Sequence, residues 1–152
     1  MEPFATVLII DATLPTFDQD SGSLRLFNLI KMWVKMGYKV TFFPDKKYQS
    51  HIKYQHALDM LGVEVLIGTI HEILSVRKVT LAWLCRVHIA HRYIPFFRLL
   101  SPDTKIFYDT IDIHYIRELR QAEIENNSRL FKQAQNTKRK ELSSCRLADQ
   151  VI

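Results

Sequence analysis

Residues 6–36 have the sequence TVLIIDATLPTFDQDSGSLRLFNLIKMWVKM, in which an apolar run, a polar loop and a helical pattern follow one another directly. The run from Val7 to Ile10 is apolar without alternation, which is typical of a parallel strand that is covered on both faces. It ends at Asp11, and the loop that follows contains proline, Asp and Ser residues that interrupt regular structure. The stretch therefore predicts a buried strand that leads through a loop into a helix.

The helix is predicted to begin near Gly22 or Ser23, because the side chain of Asp20 or Ser21 can accept a hydrogen bond from a free backbone N–H there. Free N–H groups and the positive end of the helix dipole favour a phosphate or carboxylate beyond the loop. Nine residues of the helical pattern are apolar and four are polar, so we expect only a narrow stripe to meet water. A neighbouring helix or a partner domain is expected to cover the rest.

Four more strands are predicted along the chain, at Lys39–Phe43, Val63–Ile67, Val79–Cys85 and Lys105–Tyr108. Helical patterns occupy residues 54–61 and 71–77, a segment that ends at Leu100, and a long region at 114–147. Pro95 predicts a kink in the helical segment that ends at Leu100, or a start of that segment later than His91. The last region is expected to break at residues 125–128, where Ser128 can cap a new helix. Its buried stripe is predicted to contain Leu130, Ala134, Thr137, Glu141, Leu142, Cys145 and Ala148.

Strands that alternate with helices, without hairpin signals, predict an α/β fold with a doubly wound parallel sheet of five to six strands flanked by helices. The 152 residues suit a single domain, which can bury close to about 70% of its unfolded surface. Residues 148–152 resemble the opening of a sixth strand, so we expect the chain to be truncated within a longer protein.

The formal net charge of +5 permits binding to nucleic acid, anionic lipid or a phosphorylated ligand. Nucleic acid is not favoured, because the aromatic residues lie mostly inside apolar periodic runs. Cys85 and Cys145 have no paired ligand spacing, so we expect no zinc site and a reduced, cytoplasmic setting. The N-terminus has no secretion signal, and no apolar run is long enough to predict a membrane-spanning helix.

Polar side chains follow the predicted strands, at the edge where open α/β sheets bind ligands. These candidates are Ser21 and Gly22 after the first strand, Arg86 and His88 after the fourth, and Asp109, Asp112, His114 and Arg117 after the fifth. Guanidinium and imidazole groups bind phosphate or carboxylate, and carboxylates accept hydrogen bonds from sugar hydroxyls. The set therefore favours a polyhydroxylated, phosphorylated ligand.

Structural interpretations of the same residues remain open. Arg86 can pair with Asp109 or Asp112 simply to hold adjacent loops. Asp112 and His114 can be a cap and a first-turn residue of a helix, or a metal pair. Asp11 can cap its loop or contact ligand, and His51, His56 and His71 are expected to be solvated.

Several familiar motifs are absent from the sequence. Neither a GxGxxG dinucleotide fingerprint nor a GxxxxGK[ST] phosphate loop is present, and no GxSxG nucleophile elbow occurs. The third predicted strand does not end in Asp, as a phosphorelay receiver domain would require.

As a set, the motifs resemble the N-terminal half of a GT-B glycosyltransferase of the group 1, or family 4, retaining type. The resemblance covers nearly the whole chain and depends on VLIID with the following DSGS, on LGVEVLIG, on the Arg86/His88 strand exit, on YDTIDIHYIRE and on the terminal RLADQVI. The chain has Tyr38 where the family commonly has His, and one glycine in the first loop where two are frequent.

The resemblance implies a Rossmann-like domain on the acceptor side of a cleft, whose acceptor is a sugar or a lipid-linked molecule. It implies no cofactor, because the nucleotide-sugar donor is a substrate, and it assigns the donor mainly to a C-terminal domain that this chain lacks. The chain alone is then expected to be inactive. The implied location is cytoplasmic, with peripheral contact to the inner face of a membrane.

The resemblance also implies residue roles. Gly22 and Ser21 would lie near donor phosphate or the transferred sugar, and His114 near the reacting centre as the catalytic candidate. Arg86 and His88 would face the acceptor. Asp109 and Asp112 would contact hydroxyls or organise their loop, and Arg117 would join them as a substrate-binding residue.

Two other classes of function remain. One is a non-catalytic α/β binding domain whose basic region at 117–146, with eight Lys or Arg against four Glu, binds anionic lipid, a phosphorylated ligand or a protein partner. The other is a free-standing flavodoxin-like domain that binds a small molecule.

Overall fold

The computed structural model describes residues 5–46 and 52–152. Its strands are β1 (Thr6–Asp11), β2 (Lys39–Pro44), β3 (Glu64–Val65), β4 (Leu81–Cys85), β5 (Lys105–Asp109) and β6 (Gln150–Val151). Its helices are α1 (Ser21–Lys35), α2 (Ile52–Asp59), α3 (Ile70–Val76), α4 (Val87–Leu100), α5 (His114–Ile124) and α6 (Ser128–Leu147). Within the described residues, six parallel strands form one sheet in the order β3-β2-β1-β4-β5-β6. The predicted doubly wound, Rossmann-like α/β fold is confirmed.

β1 lies at the centre of this sheet, where the strand order reverses. It pairs with β2 in the register Val7↔Val40 and with β4 in the register Val7↔Leu81. The four residues from Val7 to Ile10 are fully buried, which explains their unbroken apolar run. Successive side chains of β1 enter opposite cores. Val7 and Ile9 pack on the side of α1 and α2, whereas Leu8 and Ile10 pack on the side of α3, α4 and α6.

α1 begins at Ser21, one residue before the predicted start, and Asp20 caps it by accepting a hydrogen bond from Ser23 N–H at 2.8 Å. Its core-facing residues include Leu26 and Ile30. The expectation that only a narrow stripe meets water is wrong. Leu24, Met32 and Met36 are exposed, because among the described residues no second helix packs over the outer face of α1.

The predicted bounds of β3 and the later start of α4 are wrong. β3 pairs with β2 only at Glu64 and Val65, since the chain turns away at Gly68, where φ is +122°. β4 begins at Leu81 rather than Val79. α4 runs continuously from Val87 and contains Pro95, although proline has no N–H to donate to the carbonyl of His91.

α5 and α6 form a helical hairpin, with α5 packed on α6 and α6 packed on α4. The chain breaks at the predicted place, but Asn127 rather than Ser128 caps α6. The side-chain Oδ1 of Asn127 accepts hydrogen bonds from Arg129 N–H at 3.0 Å and Leu130 N–H at 3.3 Å. α6 buries Ala134, Glu141 and Ser144, whereas Leu142, which was predicted to lie on the buried stripe, is exposed.

β6 confirms the predicted sixth strand, since Gln150 and Val151 pair with Phe107 and Tyr108 of β5. Asp149 fixes this pairing, because its carboxylate accepts hydrogen bonds from Ile106 N–H at 2.7 Å and Arg98 at 3.0 Å. In the part of the chain that the structure describes, no helix has the length and apolar character to cross a membrane.

Candidate functional site

The candidate site lies at the carboxyl edge of the sheet, where β1 and β4 are neighbours and the order of strands reverses. Asp11 is the last residue of β1, and Arg86 directly follows β4. The loop at residues 12–20 and the start of α1 lie beyond β1, while α4 begins immediately after Arg86. In open α/β sheets, the crevice between two such strand ends is the usual place for a ligand.

Asp11 and Arg86 form an ion pair across this reversal point. Arg86 Nε donates to Asp11 Oδ1 at 2.8 Å, and Ala12 N–H donates to the same oxygen at 2.7 Å. Burial raises the pKa of Asp11, and the guanidinium beside it acts in the opposite direction. The Asp11 side chain is almost inaccessible, whereas about a third of the Arg86 side chain meets solvent, at 5% and 30% exposure. Asp11 therefore fixes the position of Arg86 Nε, while part of the Arg86 side chain remains exposed to solvent.

Arg86 has an unusual backbone conformation, with φ of +77° and ψ of 152°. Its N–H donates to the Asp109 carbonyl at 2.9 Å, which ties the turn to the neighbouring strand β5. A non-glycine residue in this region is strained, and such strain collects where a side chain must be aimed. No side chain caps α4, and no described residue hydrogen-bonds either Nη group of Arg86. The guanidinium and the N-terminus of α4 together favour an anion in the crevice.

The start of α1 lies near Arg86, whose charge acts on Asp20 at the N-cap. Asp20 caps Ser23, so only Ser21 and Gly22 keep N–H groups without an acceptor among the described residues. Hydrogen bonds from Ser23 lower the pKa of Asp20, and the nearby charge of Arg86 adds to this effect. A Cβ at Gly22 would lie 3.3 Å from Asp20 Oδ1 and 3.6 Å from Ile111 Cγ2, so the helix start packs closely against the loop after β5.

Asp109 lies beneath this loop and is 1% exposed. Its Oδ2 accepts hydrogen bonds from Arg25 Nη1 at 2.6 Å and Trp83 Nε1 at 3.1 Å, and its Oδ1 accepts one from Ile111 N–H at 3.2 Å. The expected pairing of Arg86 with Asp109 or Asp112 is therefore wrong, because Asp109 pairs with Arg25 and Arg86 pairs with Asp11. This arrangement makes Asp109 an organiser of the loop.

His114 is the first residue of α5, and carboxylates from two directions hold it. Its Nδ1 lies 2.9 Å from Asp112 Oδ1, and its backbone N–H donates to Glu141 Oε1 at 3.0 Å. Glu141 Oε2 also accepts from Tyr115 N–H at 3.1 Å, so a side chain of α6 caps α5. The interpretation of Asp112 as the cap is wrong, since the residue at that position is Ile113 and Asp112 pairs with His114 and Arg117.

His88 lies in the first turn of α4 and reaches solvent. Partial burial of the ring lowers the pKa of His88; the Asp45 carboxylate acts against this, and the charges of Arg86 and His114 add to it. Arg86 and His114 are therefore close enough to His88 for their charges to act on it. The ring of His88 is consequently favoured in its neutral form at pH 7.

The structure thus brings most of the predicted residues to one edge. Ser21 and Gly22 begin α1, Arg86 and His88 lie at the start of α4, and Asp109 ends β5, with Asp112 and His114 shortly after it. Arg117 lies beside this group, because it pairs with Asp112 and lines a shallow groove with Asp112, Ile113 and Ile116. His56 and His71 are exposed as expected, while His51 lies outside the described residues.

The roles of two residues and one ion pair were not predicted from the sequence. Arg25 was expected on a solvated stripe, yet it binds Asp109. Glu141 was placed on the buried stripe of α6 without a role, although an acid at such a position indicates a buried hydrogen-bonding partner. The pairing of Asp11 with Arg86 had no local signal, since 75 residues separate the two.

The described residues contain no group of three or more His, Cys, Asp or Glu side chains that could hold a metal ion. Asp112 and His114 contact each other directly. Both described cysteines are free thiols, and burial raises the pKa of Cys85 well above its usual range. No protein-family model matches the chain, and no curated protein is significantly similar to it.

Proposed function

We propose that this chain is the acceptor-side domain of a retaining GT-B glycosyltransferase, which transfers a sugar from a nucleotide-activated donor to an acceptor. The observation that carries the proposal is the Asp11–Arg86 pair at the reversal of strand order, in which neither Nη group of Arg86 has a hydrogen-bond partner among the described residues. Parallel sheets of this kind bind their ligands at that position.

Donor groups around the crevice support recognition of an anion. Arg86 offers two Nη groups, Ser21 and Gly22 offer backbone N–H groups, and the uncapped start of α4 adds the positive end of a helix dipole. A phosphate of the donor, or an anionic group of a lipid-linked acceptor, can accept hydrogen bonds from such guanidinium and backbone N–H groups.

Acceptor groups beside them support recognition of hydroxyls. Asp20 is kept ionised by its hydrogen bonds, and its position near Arg86 adds a negative charge to an otherwise electropositive crevice. Asp112 keeps a partly exposed carboxylate at the end of β5. Carboxylates that face solvent can accept hydrogen bonds from sugar hydroxyls, whereas a site for phosphate alone would have little use for them.

His114 is the proposed residue at the reacting centre. Asp112 occupies Nδ1, which leaves Nε2 as the ring nitrogen that can form a hydrogen bond with the sugar. Glu141 accepts a hydrogen bond from the backbone N–H of the same residue, so His114 is held at its backbone and at Nδ1. Such second contacts hold a functional side chain in one orientation.

The proposal assigns donor binding mainly to a second domain. Holding two reactants in the right geometry supplies a large part of the rate of a transfer reaction, so a domain that positions only one of them should not turn over. The chain alone is therefore expected to bind ligands weakly and to be inactive.

The test is sugar transfer from a panel of nucleotide-sugars by the full-length enzyme that the proposal implies. Arg86→Met and His114→Ala should each lower transfer by about tenfold or more, equal to ~1.4 kcal/mol, without unfolding the protein. Lys35→Met, which removes a cation from the exposed face of α1, is the matched control and should leave transfer unchanged. Absence of transfer from every nucleotide-sugar, or full activity in both crevice variants, would contradict the proposal.

A further inference from the structure

We propose that the outer face of the α5–α6 hairpin is a docking surface for an anionic lipid bilayer. This inference does not depend on the proposed glycosyltransferase activity, because it rests on the charge of α6 and is tested by a different measurement.

The charge of α6 is the first observation. The helix carries six Lys or Arg residues and one acid, and so accounts for the chain's formal net charge of +5 by itself. The acid, Glu141, is 4% exposed and faces inward to cap α5. Among the described residues, none of the six cations forms an ion pair. These cations are Arg129, Lys132, Lys138, Arg139, Lys140 and Arg146.

Three of the cations lie along one side of the helix. Lys132, Arg139 and Arg146 are seven residues apart, so at 3.6 residues per turn they form one stripe. This stripe lies opposite the side that buries Ala134 and Glu141. At a rise of 1.5 Å per residue it extends over about 21 Å, which is long enough to contact several lipid headgroups at once.

Exposed aliphatic side chains accompany the charges on the hairpin. Ile113 and Ile124 on α5 are 50% and 86% exposed, and both lie along one groove with Arg120. Leu142 of α6 is also exposed. A helical surface that combines cations with exposed aliphatic groups is typical of segments that lie in the bilayer interface, where the apolar groups enter and the cations bind headgroups.

The same features favour lipid over nucleic acid. Proteins that bind single-stranded nucleic acid stack bases on exposed aromatic rings between their cations. Here the exposed large apolar residues of the hairpin are Ile and Leu. The two aromatic residues of the hairpin, Tyr115 and Phe131, are half-buried, and Lys138 covers the ring of Tyr115 at 5.3 Å.

Vesicle co-sedimentation of the chain tests the proposal. The chain should bind vesicles of equimolar phosphatidylcholine and phosphatidylglycerol at low salt, bind pure phosphatidylcholine vesicles much more weakly, and dissociate as salt rises. Lack of binding to the anionic vesicles at low salt would overturn the proposal.

Two triple variants locate the surface. Lys132→Gln/Arg139→Gln/Arg146→Gln should weaken vesicle binding by roughly 100-fold, since each cation near an anionic surface contributes about fivefold. Lys31→Gln/Lys35→Gln/Lys78→Gln removes the same charge from exposed positions elsewhere and should weaken binding by less than about threefold. Equal losses in the two variants would show that net charge acts without a defined surface, against the proposal.

Two further measurements separate lipid from nucleic acid. Ile124→Ser should weaken vesicle binding while leaving the chain's net charge unchanged, because insertion of an exposed aliphatic side chain contributes to binding. Fluorescence anisotropy with a single-stranded RNA should show binding weaker than that to anionic vesicles. Tighter binding to the RNA, with the same loss in the α6 variant, would overturn the assignment to lipid.

Discussion

Arg86 Nε lies 2.8 Å from Asp11 Oδ1, and this ion pair joins the ends of β4 and β1 at the point where the strand order reverses. The buried partner is the acid, and the partner that reaches solvent is the cation. A ligand that binds at this edge of the sheet would consequently contact a guanidinium whose position is fixed by the buried Asp11 carboxylate.

Arg86→Met tests the strength of this pair. The change keeps the aliphatic part of the side chain but leaves Asp11 buried without its cation. It should therefore lower the free energy of unfolding by about 2 kcal/mol near neutral pH. This loss is smaller than that for breaking a fully buried ion pair, because Arg86 is partly solvated. Urea unfolding of the variant and the parent measures the difference.

The pH dependence of the destabilisation by Arg86→Met serves as the control for this prediction. Removing Arg86 raises the pKa of Asp11 further, because the guanidinium acts to lower it. Above its folded-state pKa, a buried Asp11 without its cation is ionised, and this charge destabilises the folded protein. As the pH falls through that pKa, Asp11 becomes neutral, so the loss of stability in the variant should become smaller in acid. A loss that is the same at about pH 7 and at about pH 4 would contradict the pairing.

Asp109→Asn should cost about 2 kcal/mol of stability, since an amide offers one oxygen where the carboxylate serves Arg25, Trp83 and Ile111. Asp112→Asn removes the same charge from a partly exposed side chain and should cost about 0.5 kcal/mol. Thermal unfolding compares the two. A nearly neutral Asp109→Asn would return this residue to the set of ligand-binding candidates.

The features of the fold that were predicted well from the sequence are those that depend on local patterns of residues. The apolar run of β1, the cap at Asp20 and the gap between α5 and α6 depend on residues close to one another along the chain, and each lies near its predicted place. Asn127 rather than Ser128 caps α6 because both residue types suit that position, and local pattern alone does not choose between neighbours.

The partners within the site depend on strand order instead. Arg25 and Asp109 are 84 residues apart, and they meet because β4 lies beside β1 and β5 beside β4. The pattern of strands and helices does not specify this order, so the sequence identifies the edge where charged groups collect but not which of them pair.

Glu141→Gln tests the cap that α6 provides for α5. Glutamine has one acceptor oxygen for the two N–H groups of His114 and Tyr115, so the start of α5 should open more readily by about 1 kcal/mol. Hydrogen exchange of the amides at residues 114–117 should accelerate by roughly fivefold. Glu123→Gln, at an exposed position on α5, should not change exchange there. Unchanged exchange in the Glu141 variant would remove Glu141 from this role.

His88 should make stability depend on pH in the mildly acidic range. Its folded-state pKa is lowered from 6.5, chiefly by burial, so the unfolded chain binds a proton more readily. The contribution of His88 to the free energy of unfolding is fully present above about pH 6.5. It is lost as the pH falls from there through the folded-state pKa of His88. NMR titration of the ring measures the pKa, and His88→Gln should flatten the stability profile in this range. A folded-state pKa above 6.5 would reverse the sign.

The most direct test of the central claim is a ¹⁵N NMR titration of the chain with nucleotide-sugars and sugar phosphates. We predict that amide shifts concentrate at Ser21, Gly22, residues 86–89 and His114, and that Arg86→Met abolishes them while Lys35→Met does not. Shifts confined to the opposite edge of the sheet, near Thr6, Lys39 and Arg77, or no shifts with any of these ligands, would contradict the assignment of the crevice as a sugar-binding wall.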